Sequence, residues 1–144
     1  LFVGCTGLTT APKSLPRGRY SSMFSGCTKL TTAPELPSTT LSASCYSGMF
    51  YGCASLTTAP ELPATTLTSS CYAFMFRNCT SLTTAPELPA ETLVSGCYNG
   101  MFSGCTNLNY IKAMFTTTPG ENYTSSWVYN VSPTGTFIKN SAAT

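Results

Sequence analysis

The chain has 144 residues, the size of one domain, with only 8% charged residues, a formal net charge of +2 and no histidine. Its seven basic residues are scattered, apart from the neighbours Arg17 and Arg19, which excludes the clustered positive surface that nucleic-acid binding requires. Aspartate is absent too, and the acids are Glu35, Glu61, Glu87, Glu91 and Glu121, so Ser-His-Asp and Cys-His catalysis and most zinc sites are excluded.

No catalytic residue, metal site or cofactor is therefore expected, and the chain is read as non-enzymatic. No run of about 18 apolar residues occurs, so no membrane insertion within this segment is expected. Hydrophobic residues at 42% and aromatic residues at 12% argue for a packed core rather than disorder. Ser and Thr total 43 residues, a low-charge, hydroxyl-rich composition common in extracellular repeat proteins.

Internal repetition dominates the chain. Phe24, Phe50, Phe76 and Phe102 are spaced by 26, as are Cys27, Cys53, Cys79 and Cys105, and Leu30, Leu56, Leu82 and Leu108. A shorter first unit, 22 residues from Phe2 to Phe24, precedes three near-complete units that start at Met23, Met49 and Met75. The chain opens inside a repeat, which implies part of a larger polypeptide or assembly. A 26-residue period lies in the leucine-rich range of about 20–29.

Within one unit, Leu56–Ala59 reads as a short strand stopped by Pro60, which cannot donate to a ladder. Pro60–Pro63 reads as polyproline-like. Ser69 and Ser70 read as a helix start, and Cys71–Phe76 as one and a half helical turns, with Cys71 and Met75, and Tyr72 and Phe76, sharing faces at i,i+4. Asn78, or glycine in the other units, ends the turn in a left-handed cap.

Stacking such units buries their Leu, Phe, Met and Cys. The expected fold class is thus an α/β repeat solenoid: a leucine-rich-repeat-like stack, short parallel strands on the concave face, short helices on the other. Residues 1–108 form the repeats. Residues 109–144 form a C-terminal capping segment, with a helix over Thr124–Asn130 carrying Trp127 and a last strand over Thr136–Lys139. Trp127 is expected to be buried against the Met101–Leu108 unit, with Phe137 and Ile138 alongside.

The motif M-F-x-G-C-x-x-L-T-x-A-P-x-L-P followed by C-Y-x-x-M-F resembles the BspA-like leucine-rich repeats of gut bacteria, notably Bacteroides. The ending with Trp127 and Gly135–Asn140 is similar to the tail found after such repeats, and similar arrays occur in phages of those bacteria. The resemblance covers nearly the whole chain. It implies an extracellular location, on a bacterial cell surface or a phage virion, and adhesion, with a glycan or a surface protein as partner. No catalytic residues come with it.

The candidate ligand-binding residues lie on the expected concave face: Thr31, Thr32, Thr57, Thr58, Thr83 and Thr84, with Glu35, Glu61 and Glu87. A glutamate column can hold a divalent cation or a basic ligand, but solvated, screened carboxylates are the simpler reading. An identical threonine ladder suits a repetitive ligand such as a glycan, or none.

Cys5, Cys27, Cys53, Cys79 and Cys105, and Cys45, Cys71 and Cys97, form two columns without any C-x-x-C pair, read as core; an in-repeat bridge such as Cys45–Cys53 stays open. Tyr110, Tyr123, Trp127 and Tyr129 are read as cap packing before sugar stacking. The sequons at Asn78 and Asn122 are weak signals. The leading reading is a surface binding or adhesion module; the alternative is a structural spacer or stalk segment.

Overall fold

A computed structural model describes residues 1–143. Regular secondary structure is sparse. Strand β1 is Tyr110–Ala113, helix α1 is Glu121–Thr124 and strand β2 is Thr136–Lys139. β1 and β2 pair in parallel, Tyr110 opposite Thr136 through Ala113 opposite Lys139, and make a two-stranded sheet. The expected α/β leucine-rich-repeat solenoid is therefore overturned: the structure has neither its strand-lined concave face nor its row of helices, and the leucine-rich-repeat description goes with it.

The backbone hydrogen bonds show what replaces the helices. From Ser44 to Cys53, odd-numbered residues donate locally: the amides of Cys45, Ser47, Met49, Tyr51 and Cys53 bond to the carbonyls of Ser42, Ser44, Tyr46, Gly48 and Phe50. Even-numbered residues donate sideways: Tyr46, Gly48, Phe50 and Gly52 reach Cys71, Ala73, Met75 and Arg77 at 2.8–3.0 Å. Half of the amides are thus lost to any i→i−4 ladder, and a helix cannot form. Every fourth residue takes positive φ: Ser44 at 56°, Gly48 at 61° and Gly52 at 73°. Each such left-handed residue reverses the chain and begins the next turn.

This train of turns places the side chains. Cys45, Tyr46, Met49, Phe50 and Cys53 are buried, as are Cys71, Tyr72, Met75, Phe76 and Cys79. The phenylalanine rings stack from Phe2 through Phe24, Phe50 and Phe76 to Phe102, centroids 5.6–5.8 Å apart and planes within 10°. Tyr20, Tyr46, Tyr72 and Tyr98 form a second column at 6.0–6.3 Å. Each aromatic pair adds about 0.5–1.5 kcal/mol beyond area burial.

The expected helix over Thr124–Asn130 is also corrected: α1 ends at Thr124, and the residues that follow are turns. They continue the lateral bonding, with Tyr98, Gly100, Phe102 and Gly104 donating to Tyr123, Ser125, Trp127 and Tyr129. Ser126 and Asn130 take the positive φ of Gly100 and Gly104, 26 residues before. Trp127 is half-buried; it stacks on Tyr98 at 6.1 Å and meets Phe102, Phe115 and Phe137 at an angle. β2 occupies the expected Thr136–Lys139 segment, but all four residues are exposed, Phe137 at 52% and Ile138 at 38%.

Strands form only where proline is missing. Pro34, Pro60 and Pro86 follow Ala33, Ala59 and Ala85; the corresponding residue of the next unit is Lys112, inside β1. Before β1 the segments make only isolated contacts, such as Thr10 with Thr32 and Thr32 with Thr58. Beside β1, Ala85 and Leu88 donate to Tyr110 and Lys112.

Phe76 is fully buried between Phe50 and Phe102, so Phe76→Ala should cost about 3–5 kcal/mol. Phe2→Ala, at the half-buried end of the column, should cost clearly less. Urea unfolding of both variants checks this; equal losses would show that the column is not cooperative.

Candidate functional site

All nine sequence-predicted residues, Thr31, Thr32, Thr57, Thr58, Thr83, Thr84, Glu35, Glu61 and Glu87, are exposed. Their shared face is built by prolines. Without amide hydrogens at Pro34, Pro37, Pro60, Pro63, Pro86 and Pro89, neighbouring segments cannot close into a ladder, and shallow grooves lie between them. One groove of about 440 Å³ is lined by Thr32, Pro34, Glu35, Thr58, Pro60 and Glu61, among others. The next, of about 450 Å³, is lined by Ala59, Pro60, Glu61, Pro63, Pro86 and Glu87, among others. The two share the segment from Ala59 to Pro63. Thr32 and Glu35 face Thr58 and Glu61 across the first groove, and Glu61 belongs to both. Thr31, Thr57, Thr83 and Thr84 line neither groove.

Glu87 is held by Lys112 at 3.0 Å, the one ion pair among the described residues. At this exposure such a pair contributes little to stability. Among the described residues no group of three or more Cys, Asp or Glu side chains could hold a metal ion. No helix among them is long and apolar enough to cross a membrane.

The cysteines belong to the core. All eight are free thiols and all but Cys5 are buried, so Cys45 and Cys53 are not bridged. The thiols of Cys27, Cys53, Cys79 and Cys105 donate to the carbonyls of Phe2, Phe24, Phe50 and Phe76 at 2.9–3.1 Å. One column of sulfur thereby joins successive units. Burial pushes the Cys53, Cys71 and Cys105 thiols up to about 12, and the same desolvation raises Cys79 well above its ordinary value.

A second constellation lies on the turn face, where the repeat is broken. The column Ser25, Tyr51, Arg77, Ser103, Tyr129 and the column Ser22, Gly48, Phe74, Gly100, Ser126 each run at 26-residue spacing. The Arg77 guanidinium lies 5.7 Å from the Tyr51 ring centre and 5.8 Å from that of Phe74. Phe74 holds φ 57°, a conformation that its neighbours Gly48 and Gly100 adopt without strain and a Cβ-bearing residue does not. Its ring lies across Gly100, where a Cβ would run into it.

None of Tyr51, Arg77 and Phe74 is among the residues expected from the sequence to bind a ligand. The usable signal was a large aromatic standing in a column otherwise of glycine and serine.

Tyr110, Tyr123 and Trp127 are half-buried, while Tyr129 is exposed at 69%. An apolar cavity of about 280 Å³ lies at the C-terminal end between Leu108, Ile111, Trp127, Val131 and Phe137, among others.

No family model, curated protein or solved structure matches the chain.

The thiols make stability depend on pH. An unfolded cysteine ionises near 9.0, while burial holds Cys53, Cys71 and Cys105 up to about 12 and raises Cys27, Cys45, Cys79 and Cys97 as well, so above pH 9 the unfolded chain loses protons that the folded chain keeps. Stability should hold below pH 9 and fall steadily as pH rises towards 12. Urea midpoints measured across this range test it, and a flat profile would show that the thiols are not desolvated. At pH 8 a thiol reagent should label about one group in native protein and eight after unfolding without reductant.

Proposed function

We propose that the chain is a non-enzymatic binding module that holds a chain-like ligand with a repeating structure, a polysaccharide, along its threonine–proline face. The reading rests on the two consecutive grooves, alike in volume and in their proline and glutamate lining, and sharing one wall. A ligand whose own units recur can meet the proline and glutamate walls of both in the same way, while an irregular protein epitope gains nothing from such recurrence. Thr32 and Thr58 supply hydroxyl donors and acceptors in the first groove, and prolines supply both grooves with rigid apolar walls whose ordering on binding costs little entropy.

The absence of histidine and aspartate supports a role without catalysis. Display on a bacterial surface or a phage particle is part of the proposal; the low charge and high hydroxyl content support it.

The alternative, a rigid spacer, draws on the continuous ring columns and lateral hydrogen bonds, which couple each unit to the next.

Retention on a panel of insoluble polysaccharides separates the two. The binding reading expects retention on at least one, lost when the groove is filled by Thr58→Trp and kept in the control Thr106→Trp, at an exposed position outside both grooves. Retention on none favours the spacer. Release of new reducing ends that Glu61→Gln abolishes would overturn the non-enzymatic part.

A further inference from the structure

We propose that Arg77, Tyr51 and Phe74 form a site for a carboxylated saccharide on the turn face, separate from the threonine–proline grooves. Arg77 supplies the charge. The described residues offer it no carboxylate, since their one ion pair is Lys112 with Glu87. Its Nε is buried and has no hydrogen-bond partner, which leaves the guanidinium under-satisfied within the protein. The two rings that flank it, 5.7 and 5.8 Å away, limit its rotation and hold its planar fork in place. A fixed guanidinium matches a carboxylate through two parallel hydrogen bonds.

The surroundings select a sugar as the carrier of that carboxylate. On one side of Arg77 a shallow cavity of about 320 Å³ is lined by Ser22, Ser25 and Ser47 with Tyr51 and Phe74. On the other, a cavity of about 330 Å³ is lined by Asn99, Ser125 and Ser126 with Phe74 and Tyr129, among others. Hydroxyls and an amide suit the many hydroxyls of a saccharide. Tyr51 and Phe74 are exposed at 37% and 40%, and offer ring surface to the C–H face of a pyranose.

Phe74 supports this reading independently. Glycine fills its position in both neighbouring units, so the turn itself has no need of a phenyl ring. The φ of 57° at Phe74 belongs to the turn, since Ser22 and Ser126 in the same column hold 56° and 53°; what sets Phe74 apart is the ring itself.

Calorimetric titration with trigalacturonate, trimannuronate, a hyaluronan tetrasaccharide and sialyllactose, each beside a neutral counterpart, tests the site. At least one acidic saccharide should bind, at least tenfold more tightly than its neutral counterpart, with affinity falling as salt is raised. Arg77→Gln should weaken that binding tenfold or more, and Arg77→Lys, which keeps charge without the fork, should fall between. Phe74→Gly should weaken it while leaving the melting temperature unchanged or higher. Trp at Thr58 should leave it intact, so the site stands or falls apart from the grooves. Binding of no acidic saccharide, equal binding of neutral ones, wild-type affinity in Arg77→Gln, or equal affinity for triglutamate would each overturn the proposal. A lower melting temperature in Phe74→Gly would assign the ring to folding and overturn its part.

Discussion

Everything in this chain follows from the sideways donation of alternate amides on the turn face. Tyr46, Gly48, Phe50 and Gly52 bond to residues 25 positions ahead, and the same offset recurs from Tyr72, Phe74 and Phe76, and again from Tyr98, Gly100, Phe102 and Gly104. That offset sets the period, and the period sets the columns. Rings land on rings, thiols reach the carbonyls of the preceding unit, and positive-φ residues align. A one-residue slip there would exchange local and lateral donors and turn the buried column outward. The shortened first unit respects this limit. Tyr20 and Ser22 still bond to Cys45 and Ser47, and Leu15 already bonds to Glu35, so the shortfall falls between Leu15 and Tyr20. That stretch corresponds to Leu36–Cys45, where the backbone makes few lateral bonds and length is free.

Two features of the sequence read as something else because two geometries share a signature. Over six residues, a helix of 3.6 residues per turn and a train of turns repeating every four both put i and i+4 on one side. Cys71 with Met75, and Tyr72 with Phe76, are buried under either. The distinguishing evidence was the recurrence of glycine or serine every four residues, at Ser44, Gly48 and Gly52, where a helix has no use for positive φ. Ser126 and Asn130 carried the same signal into the last segment, where Trp127 suggested a helix instead. The inward positions of the repeats, their columns and the extent of β2 were legible, because burial and spacing do not depend on which backbone carries them, whereas Phe137 and Ile138 were expected inside and are exposed. Strand formation was misjudged for a different reason. Leu56–Ala59 has the β-branched threonines of a strand, but pairing needs donors on consecutive units at once, and Pro34, Pro60 and Pro86 remove them together.

The candidate sites divide along the same lines. The threonine–glutamate face could be found by repetition, since identical exposed residues at a fixed period mark a surface. Its grooves could not, because they depend on how far prolines hold neighbouring segments apart. The Arg77 cluster is the reverse case: it was visible as departure from the period, and its meaning lies in geometry, with three side chains from two adjacent units meeting at one point.

Magnitudes bear on why such a cluster stands there. A left-handed conformation at a residue with a Cβ costs about 1–2 kcal/mol. Two partly exposed cation–π contacts return about 0.5–1 kcal/mol each. These nearly cancel. The buried Nε of Arg77 lacks a partner, and an unsatisfied buried donor costs about 1–3 kcal/mol. By these terms the folded state gains nothing from Phe74 and Arg77 over Gly100 and Ser103, which hold the same positions in the next unit. The regular columns differ: every buried ring in them adds to stability, although the Tyr98 hydroxyl is buried without a partner. Stability therefore accounts for the periodic columns and leaves the Arg77 cluster unexplained. A charged cluster flanked by hydroxyl-lined cavities, with no gain in stability to account for it, is the feature from which the saccharide site is proposed.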